Sequence, residues 1–438
     1  MNCFALARLA LAGFSLPKQR LLSCATSVSR RRVARLSGIT IILTLLAACA
    51  DPPPLLPPTP LSSINRVVTP ASEWRIKIGD SSDKRRGQFT PYHDSSGVYA
   101  AAVNGRVVSV NAETGKRRWR RDLQVRLGSG VGGDAKRIYV ATRNGEVLAL
   151  SKSTGDTLWS YEMASEVLAR PVATAAIGTE TSGLVVVRAS NGDIRGLNPD
   201  SGEEIWSANF ETPALTIQGY GEPVVLDSGV LIGLEDGKLA ALSRDRGVLL
   251  WESVISHPAG RSEVDRLVDI DANILLDETS IYAVTFQGRL ASIEPRRGDL
   301  LWSTEMSSVS GMAQDATTLY ITLDDSSVVA VSKQDGEQIW KQEKLRGREL
   351  TRPAVVGEGL IAVADFRGFM HILKAGDGDI IGRAQPLGSR SSSPAITVTT
   401  VENSRSTEEG DEEAAPSKKV GLIYLQSSSS ELVAMRVR

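Results

Sequence analysis

Three cysteines and three histidines are the residues of this 438-residue chain best suited to nucleophilic or metal chemistry, and their spacing assigns them little of it. His93, His257 and His371 fall in separate segments, and no metal-ligand interval or nucleophile motif joins them. His257 is expected in solvent, and His93 and His371 are expected to face solvent or complete a sheet surface. Cys3, Cys24 and Cys49 all precede residue 50, so the rest of the chain has neither a disulfide nor a thiolate metal site. No catalytic residue, metal or cofactor is expected.

Cys49 alone has a context that implies a reaction. "SRRRVARLSGITIILTLLAACA" (29–50) places a basic cluster before an apolar run at 36–48, which is too short to span a bilayer and has the proportions of a secretory signal. "LAAC" (46–49) resembles the bacterial lipobox, which implies cleavage before Cys49 and acylation of its thiol. Multiple acyl chains would anchor the protein stably, and Ala50 at the next position is compatible with the outer membrane. The basic region before the apolar run is about 35 residues long, more than such leaders need. No Met lies between Met1 and Met163, which favours initiation at Val28 or Val33. The chain then divides into a signal peptide (1–48), a lipidated cysteine with a proline-rich tether (49–70) and a folded body (71–438) interrupted by a disordered acidic insertion (401–419). "ADPPPLLPPTPLSS" (50–63) is expected to hold the body on the order of 40 Å from the bilayer as a polyproline II spacer.

The body is repetitive. "NGEVLALSKSTGDTLW" (144–159) returns as "NGRVVSVNAETGKRRW" (104–119), "NGDIRGLNPDSGEEIW" (191–206), "DGKLAALSRDRGVLLW" (236–251), "QGRLASIEPRRGDLLW" (287–302) and "DSSVVAVSKQDGEQIW" (325–340). A seventh copy, "RGFMHILKAGDGDIIG" (367–382), lacks the Trp. The two turn positions are ten residues apart in all seven. Short β-branched and aromatic runs between Asn-Gly and Thr-Gly-Asp turns read as strands and hairpins, and a further run such as "LARPVATA" brings each unit to four strands. Units of roughly 40–50 residues built this way predict an all-β fold, a β-propeller of four-stranded antiparallel blades. Each Trp is expected to pack between neighbouring blades. "SSSELVAMRVR" at the C-terminus matches the middle of a unit but stops before its Trp strand, and "SEWRIKIGD" (72–80) supplies that strand. Eight blades are expected, the last assembled from both termini, with seven as the alternative.

Charge narrows the partners. The first 49 residues hold seven of the 50 Lys and Arg and none of the 51 Asp and Glu, so the remainder carries a formal charge of about −8. No basic stripe is present, and nucleic acid is not an expected partner.

Function on a repeat scaffold sits where the repeat is broken. From each Trp to the next hairpin Gly (or its Ser equivalent) the intervals are 26, 33, 31, 37, 24 and 28 residues. Those of 31 and 37 are adjacent, and their extra length lies between the Trp strand and the next unit, so the two loops should emerge on one side of the ring. They read "NFETPALTIQGYGEP" (209–223), with apolar Leu215 and Ile217, and "SHPAGRSEVDRLVDIDAN" (256–273), with Asp265, Arg266, Asp269 and Asp271 around Leu267, Val268 and Ile270. Apolar anchors rimmed by charge suit a protein contact better than a small-molecule pocket. The alternative is that Leu215 and Ile217 fill their own blade and the aspartates cap turns.

The Trp-docked repeat, the lipobox and "RSEVDRLVDID" (261–271) together resemble the BamB family of outer-membrane assembly lipoproteins, over the chain from Trp74 to the end apart from the acidic insertion. The resemblance implies a non-enzymatic scaffold of the β-barrel assembly machinery, on the periplasmic face of the outer membrane. Its implied partners are the POTRA domains of BamA, with unfolded outer-membrane proteins as further candidates. The partner-contacting positions it implies are Leu215, Ile217, Gln218, Asp269 and Asp271, and Gln218 stands where the family pattern has Arg. A quinoprotein dehydrogenase shares the eight-bladed architecture, but the vicinal disulfide over its quinone has no counterpart here. A generic envelope adaptor is the other alternative.

Overall fold

A computed structural model describes residues 57–79, 89–174, 183–217, 221–357, 359–387, 395–399, 421–428 and 430–438. The described residues form 32 strands and no helix, paired into eight four-stranded antiparallel sheets. Blades 1 to 7 span residues 92–122, 132–162, 172–209, 224–254, 275–306, 311–342 and 354–384. Each runs from an inner strand at the axis to an outer strand at the periphery.

Blade 2 shows how sequence becomes sheet. Its two middle strands, Arg137–Ala141 and Glu146–Ser151, have a blade on either side, so their residues are buried on both faces and read as near-continuous apolar runs. The outer strand, Thr157–Glu162, has one face on the neighbouring blade and alternates, with Leu158 exposed and Trp159 buried.

The Trp is the inter-blade fastener. Trp159 donates its indole N–H to the Pro199 carbonyl of blade 3 at 2.8 Å. Its ring lies on Gly202, where φ is +77° and a Cβ would come within 2.6 Å of the indole, so both the backbone and the space require glycine. The same indole bond, from an outer strand to the next blade, is made by Trp74, Trp119, Trp206, Trp251, Trp302 and Trp340. The residue opposite each Trp on its own sheet is small, Ser109, Ala149, Gly196, Ala241, Ser292 or Ala330 in blades 1 to 6. The ten-residue interval is therefore a geometric requirement: one turn shapes a blade, and the other receives the preceding blade's indole.

Blade 7 lacks the Trp because its neighbour lacks the receiving turn. Blade 8 consists of Ala395–Thr399, Leu422–Gln426, Glu431–Val437 and, as outer strand, Pro70–Lys77, which pairs from Pro70 opposite Val437 to Lys77 opposite Glu431. Its last two strands come from opposite ends of the chain, so no hairpin joins them. In blade 7 the size pattern inverts, with Ile372 opposite Gly382. A Cβ on Gly382 would meet Val68 Cγ2 at 2.8 Å, so the chain entering blade 8 takes the place of an indole. Trp74 then docks on Ala112 of blade 1 at 2.9 Å and completes the ring.

One expectation changes and another narrows. The tether does not run free to residue 63, because Thr59 N donates to Arg346 O at 2.9 Å, Val67 N and Val68 N donate to Ile381 O, and Leu61 and Ile64 pack on the cluster between blades 6 and 7. Apolar side chains among the prolines favour that surface over water. Of the two placements expected for His371, solvent is ruled out, since it lies in the Met370–Lys374 strand of blade 7. It is fully buried and bonded to Asp365 and Arg383. Cys49, Gln218 and the acidic insertion at 401–419 lie outside the described residues.

Candidate functional site

The two long loops meet at the ends of blades 3, 4 and 5. Each joins an outer strand to the inner strand of the next blade, residues 209–223 between Glu204–Asn209 and Val224–Val225, and residues 256–273 between Leu249–Val254 and Leu275–Leu276. In a four-stranded antiparallel blade all such connections lie on one face of the ring, so the loops emerge side by side. The 33-residue interval differs, because its extra length falls between Val172–Thr174 and Leu184–Arg188.

Burial divides the second loop into an exposed half and an inserted half. Val268, Asp269 and Ile270 are buried, and Ile270 N donates to Leu234 O while Phe286 N, in blade 5, donates to Asp269 O. The segment is thus stitched to blades 4 and 5. Residues 261–266 are exposed and form a turn in which Ser262 N donates to Asp265 Oδ2 at 3.1 Å and Asp265 N to Ser262 Oγ at 3.2 Å. Val264 projects from it, 57 % exposed.

Asp269 joins the loops. Its side chain is 1 % exposed, and Oδ2 accepts the Ile217 backbone N–H at 2.6 Å. Burial, with Asp271 and Glu235 adding negative charge nearby, raises its pKa to about 7, although the Ile217 N–H pulls the other way. Asp269 Oδ1 has no hydrogen-bond partner among the described residues. Arg188 of blade 3 compensates part of this charge. It pairs with buried Glu235 of blade 4 and donates to the Gly221 carbonyl of the first loop at 3.3 Å. Asp269 and the Arg188–Glu235 pair therefore hold both loops against three blades.

Of the residues expected to touch a partner, Leu215 is 42 % exposed, Ile217 and Asp271 are half-buried and Asp269 is out of solvent. The structure brings Ile217 and Asp269 into direct contact and leaves Leu215 available. Val264 is an exposed apolar residue that sequence reasoning did not single out, although its place between Glu263 and Asp265 amid charged residues was a usable signal. Among the described residues no group of His, Cys, Asp and Glu is arranged to hold a metal.

Comparison with known proteins points one way. The family model described as outer membrane protein assembly factor BamB matches residues 103–342 and 324–401. The outer membrane protein assembly factor BamB of Alkalilimnicola ehrlichii is 38 % identical over 355 residues, 81 % of this chain and 89 % of that protein. The crystal structure of BamB from Moraxella catarrhalis superposes with a TM-score of 0.70 at 27 % identity, covering 84 % of this chain and all of that one. The quinohemoprotein alcohol dehydrogenase of Comamonas testosteroni reaches a TM-score of 0.62 at 10 % identity, covering 84 % and 76 % of the two chains, a likeness of fold alone.

Proposed function

Since this chain belongs to the family of outer membrane protein assembly factor BamB, we propose that it is a non-enzymatic scaffold of the β-barrel assembly machinery, anchored to the outer membrane through acylated Cys49 and docked through its two long loops on the POTRA domains of BamA. The observation that carries the docking surface is the Asp269 to Ile217 hydrogen bond, which makes one surface of two loops. Leu215 and Val264 are its apolar anchors, and the charged residues 261–266 form its rim. Asp269 acts through Ile217 as a positioning residue. Unfolded outer-membrane proteins are a second class of partner, which the ring would hold near the machine.

The test is co-purification from envelope extracts with a soluble form beginning at Ala50. Leu215→Asp and Val264→Asp are each expected to reduce BamA recovery at least tenfold with unchanged circular dichroism, since both side chains already face water. Undiminished recovery by both variants would reject the site. Asp269→Ala is expected to weaken recovery less and to speed amide hydrogen exchange at Ile217.

A further inference from the structure

The docked segment at residues 57–69 has no part in the reading above, and its contacts are extensive. At its start, Thr59 N donates to Arg346 O, and Arg348 Nη1 donates to the Thr59 carbonyl at 3.1 Å. Arg383 Nη1 donates to the Ser62 carbonyl at 2.8 Å. Both arginines are themselves held. Arg348 pairs with buried Asp365 at 2.6 Å, and Arg383 Nε donates to His371 Nδ1 at 3.1 Å while His371 Nε2 lies 3.2 Å from Asp365. Burial favours the neutral imidazole and lowers the His371 pKa, which leaves Nδ1 free to accept from Arg383. Leu61 and Ile64 add apolar anchorage, and Thr69 exchanges two backbone bonds with Arg438 at the ring closure.

The place where this segment leaves the ring is informative. Arg346 and Arg348 lie in the connection from the outer strand of blade 6, Gln338–Gln342, to the inner strand of blade 7, Ala354–Val355. That is the same kind of connection as the two long loops, so it lies on the same face, two to three blades away round an eight-blade ring. Chain length then limits how far this point can stand from an anchor at Cys49. The eight steps from residue 49 to 57 reach at most about 30 Å, whereas a segment free to residue 70 would reach about 75 Å.

We propose that residues 57–69 are a strap that fixes the ring's orientation on the membrane, holding the face that bears the two long loops toward the lipid surface at blades 6 and 7. This rests on the reading of Cys49 as the lipid anchor. A free tether would let the ring turn either face to the bilayer, whereas the strap presents the loop face to whatever stands beside the membrane.

The experiment uses the lipidated chain in phosphatidylethanolamine and phosphatidylglycerol vesicles carrying acceptor-labelled lipid. A donor dye is placed at Lys344→Cys, on the strap face of blade 6, or at Gln334→Cys, on the opposite face of that blade. Both sites are exposed, and with Cys49 acylated each is the sole free thiol of the mature chain. Energy transfer is expected to be at least twofold greater from position 344, and Leu61→Ser with Ile64→Ser, which alters the strap and leaves the ring intact, is expected to equalise the two. Vesicle binding with equal transfer in the native chain would overturn the strap alone. Failure to bind vesicles would overturn the anchor and the proposal with it. In the soluble form beginning at Ala50, the Thr59, Val67 and Val68 amides are expected to be protected from exchange, and free-peptide rates there would overturn the strap whatever the state of Cys49.

Discussion

At the scale of the residue, the informative side chains are buried ionisable groups that join segments. Asp269 has an ordinary carboxylate pKa near 3.8 when unfolded and about 7 when folded. A raised folded pKa means the native state holds its proton more tightly, so the stabilisation is complete below about pH 4 and is lost as pH rises through 7. Asp269→Asn keeps a side-chain oxygen for the Ile217 N–H and carries no charge. It is expected to remove this slope, so that urea midpoints at pH 5 and pH 8 differ less than in the parent. An unchanged slope would place the titration elsewhere. Carboxylates such as Asp277, held at about 2, behave oppositely: burial, its largest influence, raises its pKa, but hydrogen bonds from Thr279, Lys333 and Tyr282 outweigh it. Their effect lies at lower pH and cancels in the comparison of variant with parent.

At the scale of the element, every outer strand but that of blade 7 joins its own sheet by hydrogen bonds and the next sheet by an indole. Trp206 is 5 % exposed and donates to Arg244 O at 2.8 Å. Trp206→Ala opens a cavity between blades 3 and 4 and is expected to cost about 3–5 kcal/mol, measurable by urea denaturation. Gly382→Trp is the opposite case, since it restores the repeat in sequence yet is expected to destabilise. The site already holds Val68, Ile372 replaces the small residue that faces a Trp elsewhere, and blade 8 offers no receiving turn. A stabilised Gly382→Trp variant would refute this account of the missing Trp.

At the scale of the molecule, the ring depends on a pairing between residues more than 350 apart, Pro70–Lys77 with Glu431–Val437. A chain beginning at Pro70 retains that strand and is expected to stay monomeric and to melt cooperatively. A chain beginning at Ile78 exposes the 431–437 edge, a template for pairing with another chain, and is expected to aggregate on size-exclusion chromatography. Monomeric behaviour of the shorter chain would show that seven blades suffice. Round the ring the strap lies at blades 6 to 8 and the two long loops at blades 3 to 5, so the proposed anchorage and the proposed docking surface occupy separate arcs.

Repeat number, strand order within a blade, the Trp at seven of the eight interfaces and the closure by both termini were legible in the sequence, because each rests on a local pattern that recurs at fixed spacing. The two unusual loops were also legible as departures from that spacing. The orientation of individual side chains within them was not. Asp269 and Asp271 look alike in "DID", yet one is buried beneath Ile217 and the other only half-buried, because the first loop crosses at Asp269, where the Ile217 N–H meets its carboxylate. Likewise, nothing local to the proline-rich segment says that Leu61 and Ile64 have a surface to cover, or that His371 lies beneath Arg383 rather than in water. Those outcomes depend on tertiary surfaces, which blades 3 to 5 build around Asp269, blades 6 and 7 build for Leu61 and Ile64, and neighbouring strands of blade 7 build around His371.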